Sequence, residues 1–74
     1  MNKVKVEVLG ENEEVDLGIT VKAGNKYYII SKSPFNEEVM VFGCDKNGHC
    51  SKMTDLWTGC SFEEAKEFLA NNQP

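Results

Sequence analysis

The residues best equipped for chemistry crowd into one stretch: Cys44, His49, Cys50 and Cys60 are every cysteine and the single histidine of the chain. Together they make a formal Cys₃His set, which zinc takes tetrahedrally. Their spacing argues against that use. Structural zinc sites start from cysteine pairs two to four residues apart, whereas here His49 and Cys50 are neighbours and Cys60 lies well beyond. On a strand, adjacent side chains point to opposite faces, so both could ligate only where the strand breaks. Calcium fails on pattern: Asp45, Lys46, Asn47, Gly48 resembles the start of a calcium loop, but Gly48 is two positions early and Leu56 stands where a glutamate is required. Nucleophilic catalysis needs a thiol depressed by a cation or a helix amino terminus. Cys60, just before a helix cap, is the best placed, yet the chain offers it neither a second histidine nor any arginine. No catalytic residue, metal or cofactor is expected, and the chain is not expected to be an enzyme.

The bland reading of the same stretch is a hairpin. Asp-Lys-Asn-Gly suits a type I turn with glycine in the left-handed bulge position, closing a three-residue loop in which Asp45 faces His49 and Cys44 faces Cys50. A two-residue loop over Asn47 and Gly48 would instead put the two thiols on opposite faces. Sequence leaves both registers open.

These residues are carried by alternating segments. Val4, Val6 and Val8 alternate with charged residues, as do Val15, Leu17, Ile19 and Val21 with Asp16, Gly18, Thr20 and Lys22. That predicts strands over residues 3–9 and 15–22, forming a hairpin with one wet face. Further strands are expected over 27–32, 38–44 and 49–57, the third and fourth covered on both faces, with Gly43 a bulge or a close approach. Ser61 with Glu64 makes a capping box, and Phe62, Ala65, Phe68 and Leu69 line one face of a helix over 62–71. All connections are short, which favours antiparallel neighbours. The expected fold is one α+β domain over 1–74: an antiparallel β-meander of four to five strands packed on one C-terminal α-helix.

Composition narrows the function classes. Seventy-four residues enclose a thin core, so a buried small-molecule site would hollow it out. The net charge is −4 and all eight bases are lysine, spread along the chain; without the arginine fork, direct nucleic-acid binding is not expected. The alternating start has neither the apolar run of a signal peptide nor a membrane span, and an odd cysteine count suits a reducing compartment, so a cytoplasmic location is expected. Acids bunch at Glu11, Glu13, Glu14 and Asp16 and again at Glu37 and Glu38, and two large apolar residues, Phe35 and Trp57, sit in segments of weak periodicity. These eight residues are the candidate partner-binding set. The leading expectation is a small non-enzymatic module that binds another protein through an acidic face, a sheet edge or an apolar anchor, with homodimerisation by edge-strand pairing as one form of that. Lysine without arginine and seven asparagines suit AT-rich coding, pointing to a low-GC bacterium or its phage and to an inhibitor of a host or defence protein. The alternative is a small zinc or thiol-redox site between Cys44 and Cys60.

Overall fold

The computed structural model describes residues 3–33, 35–50 and 55–71. Five strands, β1 (Val6–Glu11), β2 (Gly18–Ala23), β3 (Lys26–Lys32), β4 (Val39–Cys44) and β5 (Asp55–Gly59), precede one helix, α1 (Phe62–Asn71). The sheet runs in chain order with every pair antiparallel, so the fold is the α+β meander on a single helix.

The helix forms where its cap does. Ser61 Oγ accepts the Glu64 amide at 3.2 Å, and Glu63 and Glu64 meet the positive end of the helix dipole. Its apolar stripe buries Ala65 and Leu69 against Val21, Ala23, Tyr28, Ile30, Val39 and Val41, with Phe62 and Phe68 at the margin. Trp57 stacks on Phe68 with ring centroids 5.6 Å apart, which fastens β5 to the helix. Val4 N–H donates to the Ala70 carbonyl at 3.1 Å, tying the start of the chain to the far end of the helix.

The second face bears out the expected two-sided cover of β3 and β4 and departs from expectation at β2, whose outward side is expected to be wet. Thr20 keeps only 9 % of its exposure and Ile29 none, and Phe42 is buried beside them. These three are cross-strand neighbours, since Thr20 pairs with Ile29 and Ile29 with Phe42. One helix cannot cover both faces, so loops cover this one. Residues 12–17 are not the start of β2; they fold back across the sheet. A Cβ on Gly18 would lie 2.9 Å from the Val15 carbonyl and 3.1 Å from Ile29 Cγ2, so only glycine lets this loop pass so close. The expected wet face of the first hairpin is therefore a second, smaller core.

Two strand ends also move. β1 continues to Glu11 because a bulge at Leu9 leaves Gly10 paired with Thr20 and Glu11 with Ile19. β5 holds Asp55–Gly59, so the expected span of 49–57 overlaps it only in part. His49 and Cys50 lie outside any strand because the Asp45 carboxylate takes the His49 amide, and 51–54 fall outside the described residues. Gly43 pairs regularly with Tyr28, and the bulge at this end of the sheet lies in β5, where Leu56 is the extra residue between Trp57, opposite Val41, and Asp55, opposite Phe42.

If the second face is a true core, Ile29→Ala should lower the free energy of unfolding by about 3 kcal/mol, as aliphatic-to-alanine changes in closed cores do. Urea unfolding followed by Trp57 fluorescence checks this; a loss below about 1 kcal/mol would mean that water reaches that face.

Candidate functional site

The second core is sealed by Asn12. Its Nδ2 donates to Thr20 Oγ1 at 3.0 Å and to the Gly48 carbonyl at 2.8 Å, while its Oδ1 accepts the amides of Glu14 and Val15, both at 2.9 Å. The last two bonds shape the 12–17 loop as an Asx turn. The first two join that loop to the sheet below and to the turn after β4.

That turn has the three-residue form. Gly48 N–H donates to the Asp45 carbonyl at 3.0 Å, Asp45 N–H donates to the His49 carbonyl at 3.1 Å, and Gly48 takes φ 81°, the left-handed bulge conformation. A side chain on Gly48 would also press on Asn12 Nδ2 at 2.8 Å. The Asp45 carboxylate accepts the amides of Asn47 at 2.8 Å and His49 at 3.0 Å. Chiefly the His49 amide, with Asn47, the His49 ring and the Gly48 amide behind it, holds the Asp45 carboxyl below the usual aspartate range.

Glu14 completes the closure. Its Oε2 holds His49 Nδ1, and its Oε1 accepts the Cys50 amide at 3.4 Å. The hydrogen bond to Glu14, then its charge, raises the His49 imidazole above its ordinary value. One member of the expected acidic face is therefore engaged by the protein's own fold.

Beside this closure lies a cleft of about 710 Å³, lined among others by Glu14, Tyr27, Cys44, His49, Cys50 and Leu56. All three cysteines are thiols. Burial pushes the Cys44 thiol up to about 11, with the Asp45 carboxylate and the Cys50 sulfur adding to it, so only a small fraction of Cys44 is thiolate at neutral pH. Cys60 is elsewhere. It follows Gly59, which pairs with Val39, the opposite end of β4 from Cys44 and roughly 16 Å away at about 3.3 Å per residue. The Cys₃His set is thus divided, and among the described residues no three histidine, cysteine or carboxylate groups gather to hold a metal.

The partner-binding candidates are divided too. Glu11, Glu13 and Glu14 border the concave surface above Thr20 and Gly48. Asp16 lies on the far side of the same loop, its carbonyl accepting from Ser31 Oγ at 3.4 Å. Glu37 and Glu38 belong to the β3–β4 loop, closed by Ser33 N–H donating to the Glu38 carbonyl at 2.7 Å. Phe35, at the tip of that loop, is 96 % exposed, whereas Trp57 is half-buried against the helix.

Near the β3–β4 loop the main core is open. A cleft of about 470 Å³ runs between Leu17 at the end of the loop, with Ile19 and Ile30 on the sheet, and Cys60, Ser61 and Phe62 around the start of α1, with Lys32 and Glu37 at its edge. Leu17 is 63 % exposed. Leu17 and Glu37, at φ 59° and 60°, are the non-glycine residues of the described chain in left-handed backbone. Sequence reasoning placed Leu17 inside a strand and missed this site; the one available sign was an apolar residue directly after the acidic turn. Among the described residues no helix is long and apolar enough to cross a membrane. No family model matches the chain, and neither the curated proteins nor the solved structures contain a match to it.

The titrations set a pH window. The raised His49 group contributes stability that is fully present below its unfolded value of 6.5 and is lost as pH rises through its folded value. The lowered Asp45 group contributes stability present above 3.8 and lost as pH falls through its folded value. Thermal midpoints should therefore be highest between these limits and fall as pH rises above 6.5, and Glu14→Gln should flatten that fall and return the His49 titration, followed by NMR, towards 6.5. An unchanged His49 titration in the variant would remove Glu14 as the cause.

Proposed function

We propose that this chain is a non-enzymatic protein-binding module that receives a cationic, apolar segment of its partner at the open end of the main core. The single observation that carries the reading is Leu17: a large apolar side chain, mostly in water, on a backbone conformation that costs a non-glycine residue of order 1 kcal/mol. The backbone bonds of the loop hold that conformation, but the side chain it presents makes little packing contact of its own. A partner side chain laid against Leu17, Ile19 and Phe62 supplies that contact.

Charge defines the partner. Glu11 lies directly across the ladder from Ile19, Asp16 precedes Leu17, Glu37 edges the cleft, and Glu63 follows Phe62. Lys32 is the basic residue lining the cleft, and it pairs with Glu37 at 3.7 Å. An apolar floor ringed by carboxylates suits aliphatic or aromatic side chains flanked by lysine or arginine. Phe35, on the adjoining loop, extends the apolar contact. A small acidic inhibitor that occupies the basic surface of a host or defence protein is the role of this kind that suits the lysine-only composition. The exposed edge of β1, with Val8 and Leu9 partly in water, is the competing surface, where a second copy could pair; its bulge at Leu9 and the charges of Lys5 and Glu7 disfavour that.

A synthetic leucine-lysine amphipathic peptide, with a leucine-glutamate peptide as control, tests this on the ¹⁵N-labelled chain. The lysine peptide should shift the amides of Leu17, Ile19, Glu37 and Phe62 and bind about tenfold more weakly in high salt. Leu17→Gly should weaken it about tenfold as well, with a thermal midpoint no lower than the parent's, because glycine relieves the left-handed strain. Equal binding of the glutamate peptide, or shifts confined to β1, would contradict the proposal.

A further inference from the structure

We propose that Cys44 and Cys50 are a modification site of the hairpin, joined in a reversible disulfide by exchange with glutathione disulfide. The site is independent of the apolar cleft at the other end of the sheet. Register is the first support. Asp45 and His49 form the backbone hydrogen-bonded pair that closes the three-residue loop. The next residues outward, Cys44 at the end of β4 and Cys50 just past the turn, then stand on the two facing limbs of that closure. Residues facing each other across a tight hairpin lie in the range of Cα separations that a disulfide spans.

Placement is the second. Both thiols line the one cleft, and the sulfur of Cys50 is near enough to act electrostatically on Cys44. Glu14 holds the Cys50 amide at 3.4 Å, so the second limb of the hairpin is tethered to the 12–17 loop. Cys60, at the other end of β4, takes no part.

The exchange balances in two steps. Cys50 gives its proton to solvent, and its thiolate attacks one sulfur of glutathione disulfide. A Cys50–glutathione bond forms as the glutathione disulfide bond breaks, and one glutathione thiolate leaves. Cys44 then loses its proton and attacks the Cys50 sulfur, releasing the second glutathione. The protein gives up two electrons, and the glutathione disulfide ends as two thiols. Burial of Cys44 makes it the slower, resolving partner, and its attack is intramolecular across a very short loop. A reducing glutathione pool keeps the pair open, and an oxidising one closes it next to the Glu14–His49 contact.

The full-length chain, equilibrated in glutathione buffers of rising oxidation and quenched in acid, gives the readout. Lys46 lies between the two cysteines, so a lysine-specific protease should release residues 33–46 and 47–52 as separate peptides from the reduced chain and as one joined species from the oxidised monomer. Reduced glutathione should reverse the joining, and Cys60→Ser should leave it unchanged. Gly48→Ala, which removes the left-handed bulge, should lower the joined fraction about tenfold in favour of separate glutathione adducts. Joined peptides containing Cys60, adducts that persist on both Cys44 and Cys50 of the native chain, or closure as ready in Gly48→Ala as in the parent would each overturn the proposal.

Discussion

The side-chain amide of Asn12 is the interaction on which most of this structure rests. A five-stranded sheet has two faces and this chain has one helix, so one face must be wet or be covered by loops. The loops on their own are polar and lack the apolar area to hold themselves down. Asn12 supplies the closure by using both ends of one amide. Its oxygen organises its own loop through Glu14 and Val15, and its nitrogen reaches Thr20 in the sheet and Gly48 in a turn distant in the chain. Removing water from Thr20 would otherwise leave its hydroxyl short of a partner; among the described residues no buried side-chain nitrogen or oxygen lacks one.

The remaining features of the sealed face follow from that closure. With Asn12 in place, Glu14 is brought to His49 and Cys50, and the hairpin after β4 is held in the register that sets Cys44 opposite Cys50. The same fold-back fixes where β2 starts. It sends the chain through Leu17 in a left-handed turn at the mouth of the main core. The thiol pair and the apolar cleft are thus two outcomes of one loop crossing the sheet, at opposite ends of it.

Much of the fold was legible in residue order because it depends on local contrast. The alternation around Val21, the uninterrupted apolar run of β4 and the Ser61–Glu64 cap each identify an element from its own residues. The short connections then leave antiparallel pairing as the economical arrangement. The Asp45–Gly48 turn was half legible: its chemistry narrowed the loop to two registers, and the Asp45 side chain, accepting from Asn47 and His49, selects one. The second core was legible at β3 and β4, expected to be covered on both faces, and hidden at β2, where its lining is mixed. Gly18 and Thr20 read as the solvent side of a strand, and nothing near Asn12 announces a bond to a carbonyl thirty-six residues away. The candidate site suffered from the same blindness. Glu14 looked like one more surface acid and Leu17 like an ordinary strand residue, and both change role once the loop is folded over; Trp57, an anchor candidate in the sequence, instead packs on Phe68 of the helix.

Asn12→Asp tests the central claim most directly, because it keeps the oxygen that shapes the loop and removes the donor that joins it to Thr20 and Gly48. Urea unfolding at neutral pH should show a loss of about 2 to 3 kcal/mol, the cost of two part-buried hydrogen bonds and of a carboxylate facing a carbonyl. A loss below about 0.5 kcal/mol would contradict the account, since the second face would then be held by something other than this amide.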